Sequence, residues 1–401
     1  PSMSAPHPNR WLSPFPQVPL ALGGISLVAL LLGWLRAGRP VPGFKLQHLI
    51  PAAIQVTLYT YWSLYVSTVS ARFVDIAAQL LFAYAVDLGI AAIRGRRWRL
   101  TFGPLPIVFS TNLFVWFANP VEQCAVIVFA LVSKAWITRR TGGHIFNPSA
   151  FGISVLAAAT LLLPGVFGWG SPTPDTEMNI PPNMVELMLV LALAAQLRFP
   201  IVLVPLGAVA GLGLFQTLGL RPPNPWWPAT LLILLLFSTD PRTLPRTNPG
   251  RLLFGLLFGV AIGSLSWFLT SQRTPDVYAK VLPIPLLNLL APRLDAWADR
   301  LHEAWCAFWQ RLATFGRLGP LRHMTATLTP AHNRLHVAGW VLLAILSVRT
   351  QKARAFQTLT HWTHETPHIT AAEPLGFPDC DLNPVWCEPF SFVGEARMWL
   401  A

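Results

Sequence analysis

The chain has 401 residues, 53% of them hydrophobic and only 11% charged. A soluble domain carries about a quarter charged residues, so this balance excludes an ordinary soluble fold and points to lipid as the solvent. The formal net charge of +12 does not signal nucleic-acid binding, because the Arg and Lys residues lie in short gaps between apolar runs and form no basic arm.

The apolar runs, in order, are 17–35, 49–69, 73–93, 103–118, 121–137, 148–166, 183–197, 199–218, 226–238, 252–270 and 276–291. They predict an all-α polytopic membrane protein with eleven or twelve transmembrane helices. The Pro-rich segment ahead of the first run, with Arg10 its only fixed charge, is not expected to act as a cleaved leader. Several runs fall short of the ~20 residues that cross a bilayer. Pro104, Pro106, Pro200, Pro205, Pro283 and Pro285 interrupt them, which fits either discontinuous helices around a buried site or kinks repaired by neighbouring helices.

Charge between the runs orients the chain. With alternating spans, one side collects Arg36, Arg39, Lys45, Arg94, Arg96, Arg97, Arg99, Arg139, Arg140, Arg198, Arg242, Arg246 and Arg251. The other collects only Arg10, Arg72, Arg221 and Arg273. The first side is therefore expected to be cytoplasmic, in a bacterial inner membrane. Loop 167–183, which holds Asp175 and Glu177 and no Arg or Lys, falls outside.

Beyond Pro292 the pattern becomes amphipathic. Leu294, Trp297, Leu301, Trp305, Phe308, Leu312 and Phe315 recur at three- and four-residue steps among charged residues. This predicts an interfacial helix whose Trp297, Trp305 and Phe308 dock on the membrane surface or a partner. The run 335–348 is a twelfth span or a surface segment, and the remaining tail reads as irregular. Cys124 and Cys306 read as inert, and Cys380 and Cys387 have neither zinc nor haem spacing. The latter two would pair only in an oxidising compartment.

Ionisable residues within apolar runs are costly and therefore candidates for function. Asp75, Asp87 and Lys134 form a possible ion path, with Lys280 and the neutral Gln55, Gln79, Asn112 and Gln196 as companions. The competing reading is interhelical hydrogen bonding, with the lysines reaching an interface. Two Pro-containing turns, 143–152 and 238–251, each place a cap and a Pro ahead of a Gly-containing run. They read as echoes of one internal repeat.

Three motifs carry a resemblance. They are Lys134 followed by His144-Ile145-Phe146-Asn147-Pro148; Thr239-Asp240-Pro241; and Asn288 with Pro292 and Asp295 closing the last run. In this order and spacing the chain resembles the membrane-subunit family that includes the D subunit of the Rnf electron-transport complex and the B subunit of the sodium-pumping NADH:quinone oxidoreductase. The likeness covers about residues 49–296, flanked by an extra N-terminal helix (1–48) and a C-terminal extension (297–401). It implies a bundle of two related halves with Pro-broken helices, and partner subunits in the membrane. It also implies electron transfer coupled to cation movement. Typical members carry FMN on a Thr in a Ser-Gly-Ala-Thr loop. Here the loop reads Gly170-Ser171-Pro172-Thr173-Pro174, and a Pro beside the acceptor Thr173 removes an N–H and fixes φ. The departure argues against covalent FMN and aligns the chain with the flavin-less branch named for enediyne clusters. Three functions follow, in order of preference: a non-catalytic subunit of a membrane electron-transfer assembly, a stand-alone ion or small-molecule transporter, and a flavin-bearing redox subunit.

Overall fold

A computed structural model describes residues 17–37, 41–43, 46–117, 119–139, 142–163, 166–168, 170, 177–199, 201–218, 228–237, 240–272, 274, 276–315 and 336–347. The side chains of Gln196, Trp305 and Phe308, and the whole of Thr173 and Thr239, lie outside these described parts.

The structure is mostly helical. In chain order the helices are α1 (Gln17–Ala37), α2 (Leu46–Tyr65), α3 (Ser67–Ala71), α4 (Phe73–Ile93), α5 (Pro104–Phe114), α6 (Pro120–Trp136) and α7 (Pro148–Leu162). They continue as α8 (Met184–Arg198), α9 (Leu203–Thr217), α10 (Pro228–Leu232), α11 (Asn248–Ser271), α12 (Val277–Val281) and α13 (Pro283–Phe315), then α14 (His336–Ser347). A π turn, Ile233–Phe237, extends α10. Pro opens several helices at a position where its missing N–H costs nothing. Asn119, Asn147 and Thr247 cap α6, α7 and α11 by accepting from Val121, Ala150 and Gly250 N–H groups.

Two strands of two residues, β1 (Val41–Pro42) and β2 (Arg99–Leu100), pair in parallel. They join the gaps that follow α1 and α4. Charge alternation assigns both gaps to one side, and here they meet.

Among the described residues, Ser67–Ile93 and Asn248–Ser271 are long and apolar enough to cross a membrane, while the other apolar helices are shorter. At 11 residues, α5 rises only about 16 Å. It gives way to extended chain at Val115, so the run 103–118 is a half-length helix and not a full span. The run 276–291 also differs from expectation. It begins as the single turn α12, and α13 then continues unbroken through Pro292 to Phe315. The reason is the buried face: Leu287, Ala291, Leu294 and Ala298 all pack inward across the Pro. The stripe expected to form one docking face is thereby divided, with Leu294 buried and Trp297 59% exposed.

The tightest crossing is α9 on α11. Gly207 and Gly211 face the carbonyls of Leu252 and Leu256, while Gly255 and Gly259 face those of Val204 and Ala208. A Cβ at any of the four would collide with backbone. This reciprocal small-residue contact lets two helices approach where no side chain fits between them. A similar contact sets Gly152 of α7 against Val126 and Ala130 of α6. The added helices also pack on the bundle. Helix α1 lies along α4, with Gly23 on Ala78 and Gly33 on Leu88. In α14, Trp340 and Leu343 are buried with Val185, Leu189, Leu231 and Leu235, and Trp340 Nε1 donates to the Leu189 carbonyl at 3.1 Å.

Many outward side chains are apolar. Leu64, Ile93, Val121, Leu162, Val190, Trp267 and Leu286 are all more than 60% exposed. Gln55, Gln79, Asn112, Gln123 and Asn288 are buried.

Gly255→Ala is expected to cost about 1–3 kcal/mol by overpacking, lowering the thermal unfolding temperature in detergent by several degrees. Gly213→Ala, where a Cβ meets open space, should leave that temperature unchanged or slightly raised. Equal behaviour of the two variants would contradict the crossing.

Candidate functional site

The sequence motifs converge at one end of the bundle. Beyond α6, a tight hairpin pairs Thr138 with His144. Arg139 N–H donates to the Gly143 carbonyl and Ile145 N–H to the Ile137 carbonyl. Gly142 and Gly143 both sit at φ 87°, a conformation costly for any residue with a Cβ. The turn aims His144 at the loop that follows α10, where His144 Nε2 lies 2.7 Å from Asp240 Oδ2.

Asp240 is in turn tied to its own loop. Its Oδ1 accepts from the Arg242 N–H at 3.1 Å, and its carbonyl accepts from the Thr243 backbone and hydroxyl. Burial works against its ionised form. The hydrogen bond and charge of His144, with the N–H and charge of Arg242, outweigh burial and hold its carboxyl below the usual range.

Helix α13 fastens both loops. Asn288 Oδ1 accepts from the Asn147 N–H at 2.9 Å, and its amide donates to the Thr243 carbonyl. Two turns on, Asp295 accepts from the N–H groups of Arg246 and Thr247 and from the Thr247 hydroxyl at 2.8 Å. Pro245 is held through its carbonyl by Arg251 Nε. Asn147 and Thr247, the cap residues of the two echoed motifs, are thus clasped by one helix.

A cavity of about 230 Å³ opens beside this junction, walled by Ile54, Gln55, Ile107, Lys134, His144 and Asp240 among others. Lys134 Nζ donates to the Gly103 carbonyl at 3.4 Å, and the ammonium occupies the space where a Gly103 Cβ would stand. Lys134 and Asp87 feel each other's charge, and Asp87 Oδ2 accepts from Trp98 Nε1 at 3.2 Å.

Deeper in the bundle, Asn112 Nδ2 donates to Gln79 Oε1 and Gln55 Nε2 to Ser110 Oγ, both at 2.6 Å. At the far end of α4, Asp75 pairs with Arg72 at 3.6 Å, whose guanidinium lies 4.6 Å from the centre of the Trp116 ring. Asp75 and Asp87 therefore occupy opposite ends of one helix, and Lys134 joins only Asp87. Lys280 pairs with Asp276 at 3.7 Å, away from this cluster.

The loop expected to bear FMN leaves and re-enters the described chain at firm anchors. Gly168 N–H donates to Glu122 Oε1 and Gly170 N–H to the Tyr278 hydroxyl. On the return, Thr68 donates to Glu177 Oε2 and Trp62 Nε1 to the Glu177 carbonyl. Burial pushes the Glu177 carboxyl up, against the opposing Thr68 hydrogen bond. Sequence reasoning misses Glu122, Tyr278 and Gly103. Glu122, an acid just inside an apolar run, is the one signal on offer.

Asp240→Asn keeps the shape but loses the charge. A carboxyl held below its ordinary pKa stabilises the fold above that ordinary value, near 4, and loses this as pH falls through the folded value. Wild type should therefore exceed the variant by about 2 kcal/mol at pH 7. The gap should close as pH drops below about 4, as read from detergent unfolding at each pH. A gap independent of pH would show that the Asp240 charge is not what binds the loops.

No protein-family model matches the chain. A curated protein from Erwinia tasmaniensis, named as the D subunit of an ion-translocating oxidoreductase complex, is 36% identical over 106 residues, which is 24% of this chain and 28% of that protein. The chain thus spans little more than a quarter of the length of the curated relative it matches. This stretch supports the likeness to the Rnf-type family that the three motifs suggest.

Proposed function

We propose that the chain is a non-catalytic, multi-pass subunit of an electron-transfer assembly in a bacterial inner membrane. The observation that carries this is the inverted polarity of the bundle. Large apolar side chains face outward while Gln79, Asn112, Gln55 and Ser110 bond to one another inside, the arrangement suited to lipid as solvent. The relative's name, which places it in an ion-translocating oxidoreductase complex, adds the electron-transfer context.

In this reading a cation path follows α4. Asp75, Gln79 and Asp87 fall at four-residue multiples along it, with buried Ala83 between, and Lys134 closes the inner end. The loop with Ser171, Pro172 and Thr173 belongs to a flavin-less member, and Trp297, with Trp305 and Phe308, provides a docking position for neighbouring subunits. A stand-alone transporter is the second reading, favoured by the same α4 seam.

Purification of the full chain in mild detergent separates the two. Mass spectrometry should find other membrane subunits in stoichiometric amount, with any flavin or haem absorbance belonging to them. A colourless protein that purifies alone at full yield would contradict the assembly reading and favour the transporter.

A further inference from the structure

We infer that the cavity beside Lys134 is a binding site for a small organic carboxylate. The inference is independent of whether the chain works within an assembly.

The charge of the wall selects an anion. Its ionisable side chains are Lys134, His144, Asp240 and Arg242. Asp240 is already engaged by His144 and by the Arg242 N–H, and Asp87 is not among the lining residues. Among the described residues, the three donors of Lys134 make a single 3.4 Å contact, with the Gly103 carbonyl. The N-terminal ends of two helices also reach the wall, α5 through Gly103 and Pro106 and α7 through Asn147, Pro148 and Ser149. Both present the positive end of the helix dipole.

The remaining wall is apolar, including Ile54, Ile107, Phe199, Leu235 and Leu236, and suits the hydrocarbon body of such an acid. Benzene occupies a cavity of about 150 Å³, so 230 Å³ suits a ligand of roughly ten non-hydrogen atoms.

The test uses full-length protein in a non-ionic detergent, with binding read by calorimetry and thermal shift at pH 7. The probes are 4-hydroxybenzoate, benzoate, 3-hydroxybutyrate, and the amides of all three. At least one acid should bind tenfold or more tightly than its amide. Lys134→Gln should erase that preference and Lys134→Arg should keep it. Arg242→Gln, at the exposed rim, serves as a second charge variant that should weaken the acids threefold or more if Lys134→Gln does not fold. Amides binding as well as acids, or acid binding indifferent to both charge variants, would overturn the proposal. So would the absence of binding by every probe.

Discussion

Asn288 and Asp295 lie two turns apart on one face of α13 and together bond to Asn147, Thr243, Arg246 and Thr247. Those four residues belong to two loops about a hundred positions apart in sequence, each of which starts a helix. Without the clasp, the two capped helix N-termini would have no fixed relation. His144 could then not face Asp240 at 2.7 Å. The part of the cavity wall made by His144, Asn147, Asp240 and Arg242 depends on that junction.

On the proposed reading, with lipid as the solvent, the rest of the bundle follows from the cost of polar atoms in an apolar surrounding. Helices satisfy their own backbone groups, and where one breaks, as α5 does at Val115, side chains take over. Trp116 Nε1 donates to the Asn112 carbonyl, and Gln123 Oε1 accepts from the Phe117 N–H. Helix association cannot draw on the hydrophobic effect when the solvent is itself apolar. The glycines of α9 and α11 supply the alternative, which is close backbone contact. Polar pairs such as Asn112 with Gln79 supply direction.

Much of this is legible in the sequence, and what escapes does so for physical reasons. Continuous apolar runs mark the helices, and lipid as solvent, on the proposed reading, would demand them. Asn-Pro and Thr-Asn-Pro mark two helix starts, because capping and proline chemistry are local. That His144 meets Asp240 across 96 positions is visible only as two motifs, since the partner of a side chain is a tertiary fact. Asp75 and Asp87 look like one group by proximity in sequence, yet twelve residues of helix put them about 18 Å apart. Pro292 reads as a boundary, but the face of Leu287, Ala291, Leu294 and Ala298 outweighs its lost hydrogen bond. The spacing of Gly207 with Gly211 and Gly255 with Gly259 is readable, but its meaning requires knowing which helices cross.

The clasped end of the bundle should lie on one side of a membrane and the Arg72–Asp75 end on the other. Single cysteines replacing Arg97, Arg246 or Gln272 in a cysteine-free chain, probed in whole cells with a membrane-impermeant maleimide, test this most directly. Gln272→Cys is expected to be labelled in intact cells, while Arg97→Cys and Arg246→Cys are labelled only after permeabilisation. Labelling of all three in intact cells, or of Arg246→Cys but not Gln272→Cys, would contradict that arrangement.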